Sequence, residues 1–163
     1  MIDTNDPCFV FGLDLDSKGG GTSIKSDELN QAWVHIDYSH PSAARFLDSL
    51  DIQEIVVQSL TQPDTRPRTV KFKEGVLVFI RGINLNPGAD PEDMVSLRMW
   101  IEANRLITVR QRKLLSIQDI NADLLVGKGP ENISDLVIAI IAKVTDRISG
   151  YVEGIEDQLV QLE

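Results

Sequence analysis

The sequence predicts an α/β fold: α/β/α layers around a mixed, largely antiparallel central sheet, followed by a long C-terminal stalk helix. Three observations predict this class. Several segments alternate apolar and polar residues, which is the pattern of strands. Segments with the helical spacing of apolar residues lie before and after those strands. Residues 132–163 continue one helical pattern, and no stop signal follows its last apolar turn.

The first half of the chain is expected to contain two strands and two helices. Alternation with aromatic residues predicts strands at 8–14 and 32–37, with a glycine-rich turn at 17–22 between them. Apolar residues at helical spacing predict helices at 42–50 and 52–60. These elements begin the alternation of helix and sheet on which the α/β class rests.

The second half is expected to contain a meander of about four antiparallel strands. A loop with two prolines at 62–68 precedes strands predicted near 68–73, 75–85, 94–103 and 105–111. A helix follows at 114–127, with Ser116 as its predicted N-cap and Gly127 as its closing residue. The last helix begins with either Asn132 or Ser134 as cap.

The composition indicates a chain with a real core and an acidic surface. Its 163 residues are 42% hydrophobic and carry a net charge of −9 at pH 7. This charge argues against a general nucleic-acid binder and against electrostatic docking on anionic lipid. The single cysteine, Cys8, allows no disulfide framework, and no signal peptide is visible. We therefore expect a reducing, cytoplasmic setting.

The last helix has a seven-residue repeat of apolar positions. Ile148, Ile155 and Leu162 recur every seven residues, which predicts a seam for contact with another helix. Dense apolar residues at 136–144 are expected to pack on the chain's own sheet instead. We therefore divide the chain into an α/β domain at 1–131 and the start of a stalk helix at 132–163, and expect self-association or chain continuation.

The best local metal candidate is the segment from His35 to His40. Alternation places His35 and Asp37 on one face of a strand, and His40 could fold back toward them. Imidazole and carboxylate groups suit zinc. The alternative is that His40 caps the following helix and that His35 is a satisfied core residue.

Enzyme motifs are not found. The Asp14 segment departs from a calcium loop at its fifth and twelfth positions, Lys18 and Lys25. The glycines at 19–21 lack the strand-to-helix context and lysine of a phosphate loop. No nucleophile elbow and no paired-histidine zinc motif occur. We therefore expect a protein that is not an enzyme.

Basic residues are concentrated in the predicted meander. Between residues 64 and 113 there are ten Lys or Arg and six Asp or Glu residues. One interpretation is that these arginines pair with acidic helices. The other is a soluble regulatory module that binds an anionic ligand on an arginine-rich sheet. The arginines concerned are Arg66, Arg68, Arg81, Arg98 and Arg110.

Several stretches carry a family resemblance. They are AWVHIDYSHP, DTRPRTVKF, LVFIRGINLNPGADPEDMVSLRMWIEANRLITVRQRKLLSIQDI and ADLLVGKGP. In this order they resemble the cytoplasmic N-terminal domain of ZntB-like zinc transporters, in the CorA metal-ion transporter superfamily. The resemblance covers roughly residues 31–163, and its long central stretch makes it specific.

The resemblance implies a cytoplasmic domain at the bacterial inner membrane, joined to the membrane only through two helices that would follow this chain. It implies a homopentamer whose stalk helices surround an ion funnel. Zinc is then the transported ion, and no cofactor is required. The acidic residues expected in the funnel are Glu153, Glu156, Asp157 and Glu163. The Gly-x-Asn loop of the family lies between its membrane helices, so Gly82 and Asn84 are not that loop.

Overall fold

A seven-stranded sheet with helices on both faces is seen in a computed structural model that describes residues 1–27, 29–63 and 66–162. The strands are β1 Phe9–Leu15, β2 Gly21–Ser23, β3 Ala32–Asp37, β4 Arg68–Lys71, β5 Val76–Gly82, β6 Val95–Ile101 and β7 Arg105–Arg110. The helices are α1 Ala43–Asp48, α2 Glu54–Thr61, α3 Leu115–Leu125 and α4 Ile133–Leu162. No helix in these ranges is both long enough and apolar enough to span a membrane.

The sheet is mixed, as predicted. Its strand order is β2-β1-β3-β7-β6-β5-β4. β3 pairs with β7 in parallel, and the other neighbouring strands pair antiparallel. The predicted four-stranded meander is confirmed as β4 to β7. The parallel pair joins this meander to the N-terminal strands and places the end of β3 beside the end of β7.

Two apolar clusters cover the two faces of the sheet. One face packs against α1 and α2 through buried residues such as Phe46 and Leu60. The other face packs against α3 and α4 through residues such as Ile120 and Ile140. Burial of aliphatic and aromatic side chains on both faces contributes the main favourable free energy of folding. The predicted α/β/α layers are therefore confirmed.

Three local predictions have different outcomes. The turn expected at 17–22 is wrong in part, because Gly21–Ser23 forms the short strand β2 against β1. Ser116 is not the N-cap of α3: Leu114 holds that position, and Ser116 is buried inside the helix. Gly127 does close α3, since it has φ 73° and its amide donates to the Leu124 carbonyl at 3.2 Å.

Of the two caps considered for α4, Asn132 is the one observed. Its side-chain Oδ1 accepts a hydrogen bond from the Asp135 amide at 2.8 Å. An Asn side chain in this position satisfies one of the amide groups that a helix start leaves without a partner. The cap fixes where α4 begins, at the edge of the α/β part formed by residues 1–131 (the body).

Candidate functional site

The first half of α4, from Ile133 to Arg147, packs against the body. Leu136, Ile140 and Val144 are buried against the sheet and α3. Two ion pairs add to this contact: Lys143 Nζ lies 3.7 Å from Asp123, and Arg147 donates a hydrogen bond to Asp119. This half of the helix therefore has a fixed position relative to the sheet.

Sequence reasoning missed these two ion pairs, although a signal for them exists. Asp119 and Asp123 are four residues apart on α3, and Lys143 and Arg147 are four residues apart on α4. Residues at this spacing share a helix face. Two acidic groups on one helix and two basic groups on the next, at the same spacing, indicate that the helices lie side by side.

The second half of α4 exposes apolar side chains. The exposed fractions of Leu159 and Leu162 are 58% and 84%. Ile148, by contrast, packs on the core of its own chain, and with Tyr151 it borders an apolar pocket of about 230 Å³. Ile155 is half-buried. The three residues of the predicted seam thus differ: the first lies on the body and the last lies in solvent.

The same half carries acidic charge that no basic residue balances. Glu153, Glu156 and Asp157 are all exposed on the helix. Residues 148–163 contain four acidic residues and no Lys, Arg or His. The fourth acidic residue of the predicted funnel, Glu163, lies outside the described residues. Exposed carboxylates at neighbouring helical positions give this segment a negative potential that attracts cations.

His35 lies in the interior of the fold. Its side chain is 1% exposed, and its Nδ1 atom lies 2.7 Å from the hydroxyl of Thr108. Burial, with a smaller contribution from the nearby Arg110 charge, lowers the pKa of His35 to about 3. The imidazole is therefore neutral at physiological pH.

His40 belongs to a different cluster, at the start of α1. Its Nδ1 atom lies 2.7 Å from the Ser42 hydroxyl and accepts a hydrogen bond from the Ser42 amide at 3.2 Å. Asp37 instead accepts hydrogen bonds from Ser39 and faces Arg110. Among the described residues, no three His, Cys, Asp or Glu side chains are placed to hold a metal ion. The structure therefore does not assemble the predicted set of His35, Asp37 and His40.

The hydroxyl of Ser42 also donates a hydrogen bond to Asp6. This bond, together with the Cys8 amide, lowers the pKa of the Asp6 carboxyl. Burial raises the pKa of the nearby Cys8 thiol to about 12, so the thiol stays protonated. In a hydrolytic triad the imidazole must lie between serine and carboxylate, whereas here serine is the middle group. The arrangement holds the N-terminal segment to α1.

The arginines of the meander do not form one surface. Arg98 is 1% exposed, donates to the carbonyls of Leu60 and Gln62, and lies over the Tyr38 ring. Arg68 lies over the Phe79 ring on the same face of the sheet. Arg110 points to the opposite face, where its neighbour is Asp37. Arg98 donates to backbone carbonyls and not to an acidic helix, so the interpretation that the arginines pair with acidic helices is wrong for Arg98. Because Arg110 lies on the opposite face, the five arginines do not share one face of the sheet.

Comparison of the sequence with models of known families gives a match to a family of ion-transport proteins. Residues 30–163 match the family described as CorA-like Mg2+ transporter protein. The chain belongs to this family, and the predicted resemblance is confirmed.

Two curated relatives illustrate the similarity. "Divalent cation transporter CmaX" of Pseudomonas aeruginosa is 38% identical over 164 residues, covering 94% of this chain and 49% of the relative. "Zinc transport protein ZntB" of Yersinia enterocolitica is 34% identical over 159 residues, with the same coverage of 94% and 49%. This chain thus spans about half the length of the curated relatives it matches.

Solved structures agree with the fold. The full-length CmaX protein superimposes with a TM-score of 0.91 at 38% identity, covering 96% of this chain and 51% of that chain. The ZntB cytoplasmic domain from Vibrio parahaemolyticus gives a TM-score of 0.87 at 25% identity, covering 96% and 65%. The CorA magnesium transporter from Methanocaldococcus jannaschii, at 16% identity and a TM-score of 0.72, shares the fold.

Proposed function

We propose that this chain is the cytoplasmic domain of a divalent-cation transporter of the bacterial inner membrane, with zinc as the transported ion and no resident cofactor. The names of the CmaX and ZntB relatives support a divalent cation as substrate and zinc in particular. Because the chain spans about half of those relatives, we place the membrane part in a continuation beyond residue 163. The proposed role is transport, not catalysis.

The observation that carries this proposal is the contrast between the two halves of α4. One face of the first half is buried against the body through Leu136, Ile140 and Val144. The second half, as described through residue 162, has no buried residue and exposes Leu159 and Leu162. Because exposed apolar residues on a helix of this length need a partner, we propose that neighbouring copies supply it. Residues 132–163 then form a stalk distinct from the domain at 1–131. Ile155 and Leu162 contact neighbouring copies, and Ile148 links the stalk to its own body.

The acidic residues of the stalk support an electrostatic role. We propose that five copies surround a funnel toward which Glu153, Glu156, Asp157 and Glu163 direct their charge. Carboxylates of several copies around one passage raise the local concentration of cations. The attraction weakens as ionic strength increases, because salt screens exposed charges beyond roughly 10 Å at 0.1 M. This dependence distinguishes an electrostatic funnel from a specific binding site.

The first test is to determine the gene sequence beyond residue 163 and to measure the assembly of its product. We expect two apolar segments of about 20 residues each. We expect native mass spectrometry of the purified product in detergent to give a pentamer, which the double variant Ile155→Glu with Leu162→Glu destabilises. The matched control is the double variant Leu125→Glu with Ile138→Glu, since both are exposed apolar residues outside the second half of α4. Equal assembly in both variants would contradict the seam.

The second test measures zinc flux into vesicles that contain the purified transporter. Replacing Glu153, Glu156 and Asp157 by their amides should lower the flux several-fold at low ionic strength, with convergence on wild type at high salt. The control triple variant, with amides at Asp48, Asp51 and Glu131, removes the same charge from exposed positions on the body. If both triple variants transport equally well, the acidic funnel is wrong even where transport itself is established.

A further inference from the structure

A second pocket lies on the face of the sheet that α3 covers, away from the projecting half of α4. Its volume is about 400 Å³, which is within the range of small-molecule sites. Apolar walls come from Phe11 and Ile117. The polar lining comes from His35 on β3, Arg110 on β7, and Lys113, Gln118 and Asn121 in and before α3.

Three buried polar atoms around this pocket have no hydrogen-bond partner among the described residues: His35 Nε2, Arg110 Nε and Asn121 Oδ1. Buried polar atoms are paired in the great majority of cases, because an unpaired one loses its water without compensation. Three such atoms on the lining of one pocket indicate a place for a polar ligand. The His35 side chain meets this description most strictly, since it is 1% exposed.

The His35 tautomer is assigned from the hydrogen bonds of Thr108, since the distance between Nδ1 and the hydroxyl oxygen fits either direction of donation. The Thr108 hydroxyl accepts from the Trp33 indole at 2.9 Å. Its own proton can go to His35 Nδ1 at 2.7 Å or to the Val34 carbonyl at 3.5 Å. The shorter contact is a normal hydrogen bond and the longer one is at the limit, so Thr108 donates to Nδ1. The neutral imidazole then carries its proton on Nε2, where it is a donor.

The remaining groups make the pocket positive. Arg110 has a side chain 12% exposed, and its Nε lies 3.7 Å from Asp37, which is an ion-pair distance but too long for a hydrogen bond. Lys113 adds a second positive charge at the edge, and Asp37 is the facing carboxylate. Gln118 and Asn121 can present amide N–H groups by rotating their terminal bonds. Two cations and several N–H donors match an anion.

We propose that this pocket binds a small oxyanion, a phosphate or carboxylate group, between Arg110, the Nε2–H of His35 and Lys113. The anion accepts hydrogen bonds from His35 Nε2 and Arg110 Nε, which have no hydrogen-bond partner among the described residues, and from the exposed Lys113. Phe11 and Ile117 contact any apolar remainder of the ligand. The site uses the opposite face of the sheet from Arg68 and Arg98 and does not depend on the transport role. The site recognises the negatively charged oxygens that phosphate and organic acids share. The test compares these two classes of anion directly.

The test is calorimetric titration of the 163-residue chain with inorganic phosphate and with acetate, at constant ionic strength set by chloride. We expect saturable binding in the millimolar range for at least one anion. Arg110→Met should raise the dissociation constant roughly tenfold or more, since hydrogen bonds to charged groups are the strong ones. Arg112→Met is the control, because it removes the same charge two residues away from an exposed side chain.

A second pair of variants avoids any effect on folding. Lys113→Gln should raise the dissociation constant a few-fold, whereas Lys128→Gln, which removes the same charge from another exposed lysine, should leave it unchanged. In nitrogen NMR spectra the His35 ring should show a protonated Nε2 whose signal shifts on addition of the anion. Absence of binding to both anions at tens of millimolar would overturn the proposal. So would equal affinities within each pair of variants.

Discussion

Replacement of Arg98 by methionine tests whether a central arginine of the sheet is a structural residue. Methionine keeps most of the apolar stem but removes the guanidinium. The Leu60 and Gln62 carbonyls would then lose hydrogen bonds of 2.9 and 2.6 Å, and the Tyr38 ring would lose a cation 4.1 Å away. Hydrogen bonds from a charged donor contribute about 1.5–3 kcal/mol each, and the guanidinium regains hydration on unfolding. We expect a net loss of about 3 kcal/mol.

The assay is urea unfolding followed by tryptophan fluorescence, which reports on the core because Trp33 and Trp100 are both buried. In thermal unfolding followed by the same fluorescence signal, a loss of this size should lower the melting temperature by about 6–12 °C for a chain of this length. Arg112→Met is the control: its side chain is 43% exposed and pairs with Asp93, so we expect a change below about 1 kcal/mol. A similarly small change for Arg98→Met would refute the structural role and restore Arg98 as a ligand-binding candidate.

Three further predictions concern stability. The pKa of His35 is about 3 instead of 6.5, so below pH 6.5 the unfolded chain takes up a proton that the folded chain does not. Stability should therefore decrease by about 1–2 kcal/mol between pH 6.5 and 5, and urea unfolding of His35→Phe should lack this decrease; an unchanged slope would contradict it. Gly75→Ala should destabilise by about 1–3 kcal/mol, because a Cβ there would lie 2.5 Å from the Ile101 carbonyl oxygen. The matched Gly150→Ala, with nothing within 4 Å, should instead stabilise α4 by up to about 1 kcal/mol in thermal unfolding, and equal effects of the two substitutions would contradict the close contact at Gly75. Asn132→Ala should cost about 1 kcal/mol through loss of the α4 cap, whereas Asn132→Asp should retain most of it, as circular dichroism melts can establish.

Alternation of apolar residues was sufficient to predict the main strands. β3 lies at Ala32–Asp37, as expected, because its residues are buried on both faces and its flanks are polar. β2 was missed because Gly21–Ser23 contains no apolar residue and pairs only with the edge of β1. Short edge strands of this kind are determined by the neighbouring strand and not by their own composition.

Caps were predicted less well, because two residues of the right type often lie near one helix start. Ser116 has a suitable side chain but is buried within α3, and the extended backbone of Leu114 begins the helix instead. At α4 the sequence left Asn132 and Ser134 open. The choice of Asn132 is tied to the body, since the amide of the next residue, Ile133, donates to the side chain of Gln31.

The candidate metal set failed for a topological reason. His35 lies inside β3, whereas the chain reverses after Asp37 and carries His40 to the start of α1. Alternation along a strand describes residues within that strand and not those beyond its end. His35 has its partners on β7, where Thr108 and Arg110 lie. Thr108 is 73 positions later in the chain than His35. A single sequence contains no pattern that indicates the parallel pairing of β3 with β7.

The position of the last contacts on α4 determines how the stalk leaves the body. Arg147 pairs with Asp119, and Ile148 and Tyr151 border the apolar pocket beside the 83–94 segment. Residues 152–162 lie beyond these contacts and extend roughly 16 Å at 1.5 Å per residue. Because the first half is held by buried side chains and two ion pairs, the direction of the second half follows that of α3 and the sheet. A change in the body that shifts α3 would therefore move the tip of the stalk, where the acidic and apolar residues lie.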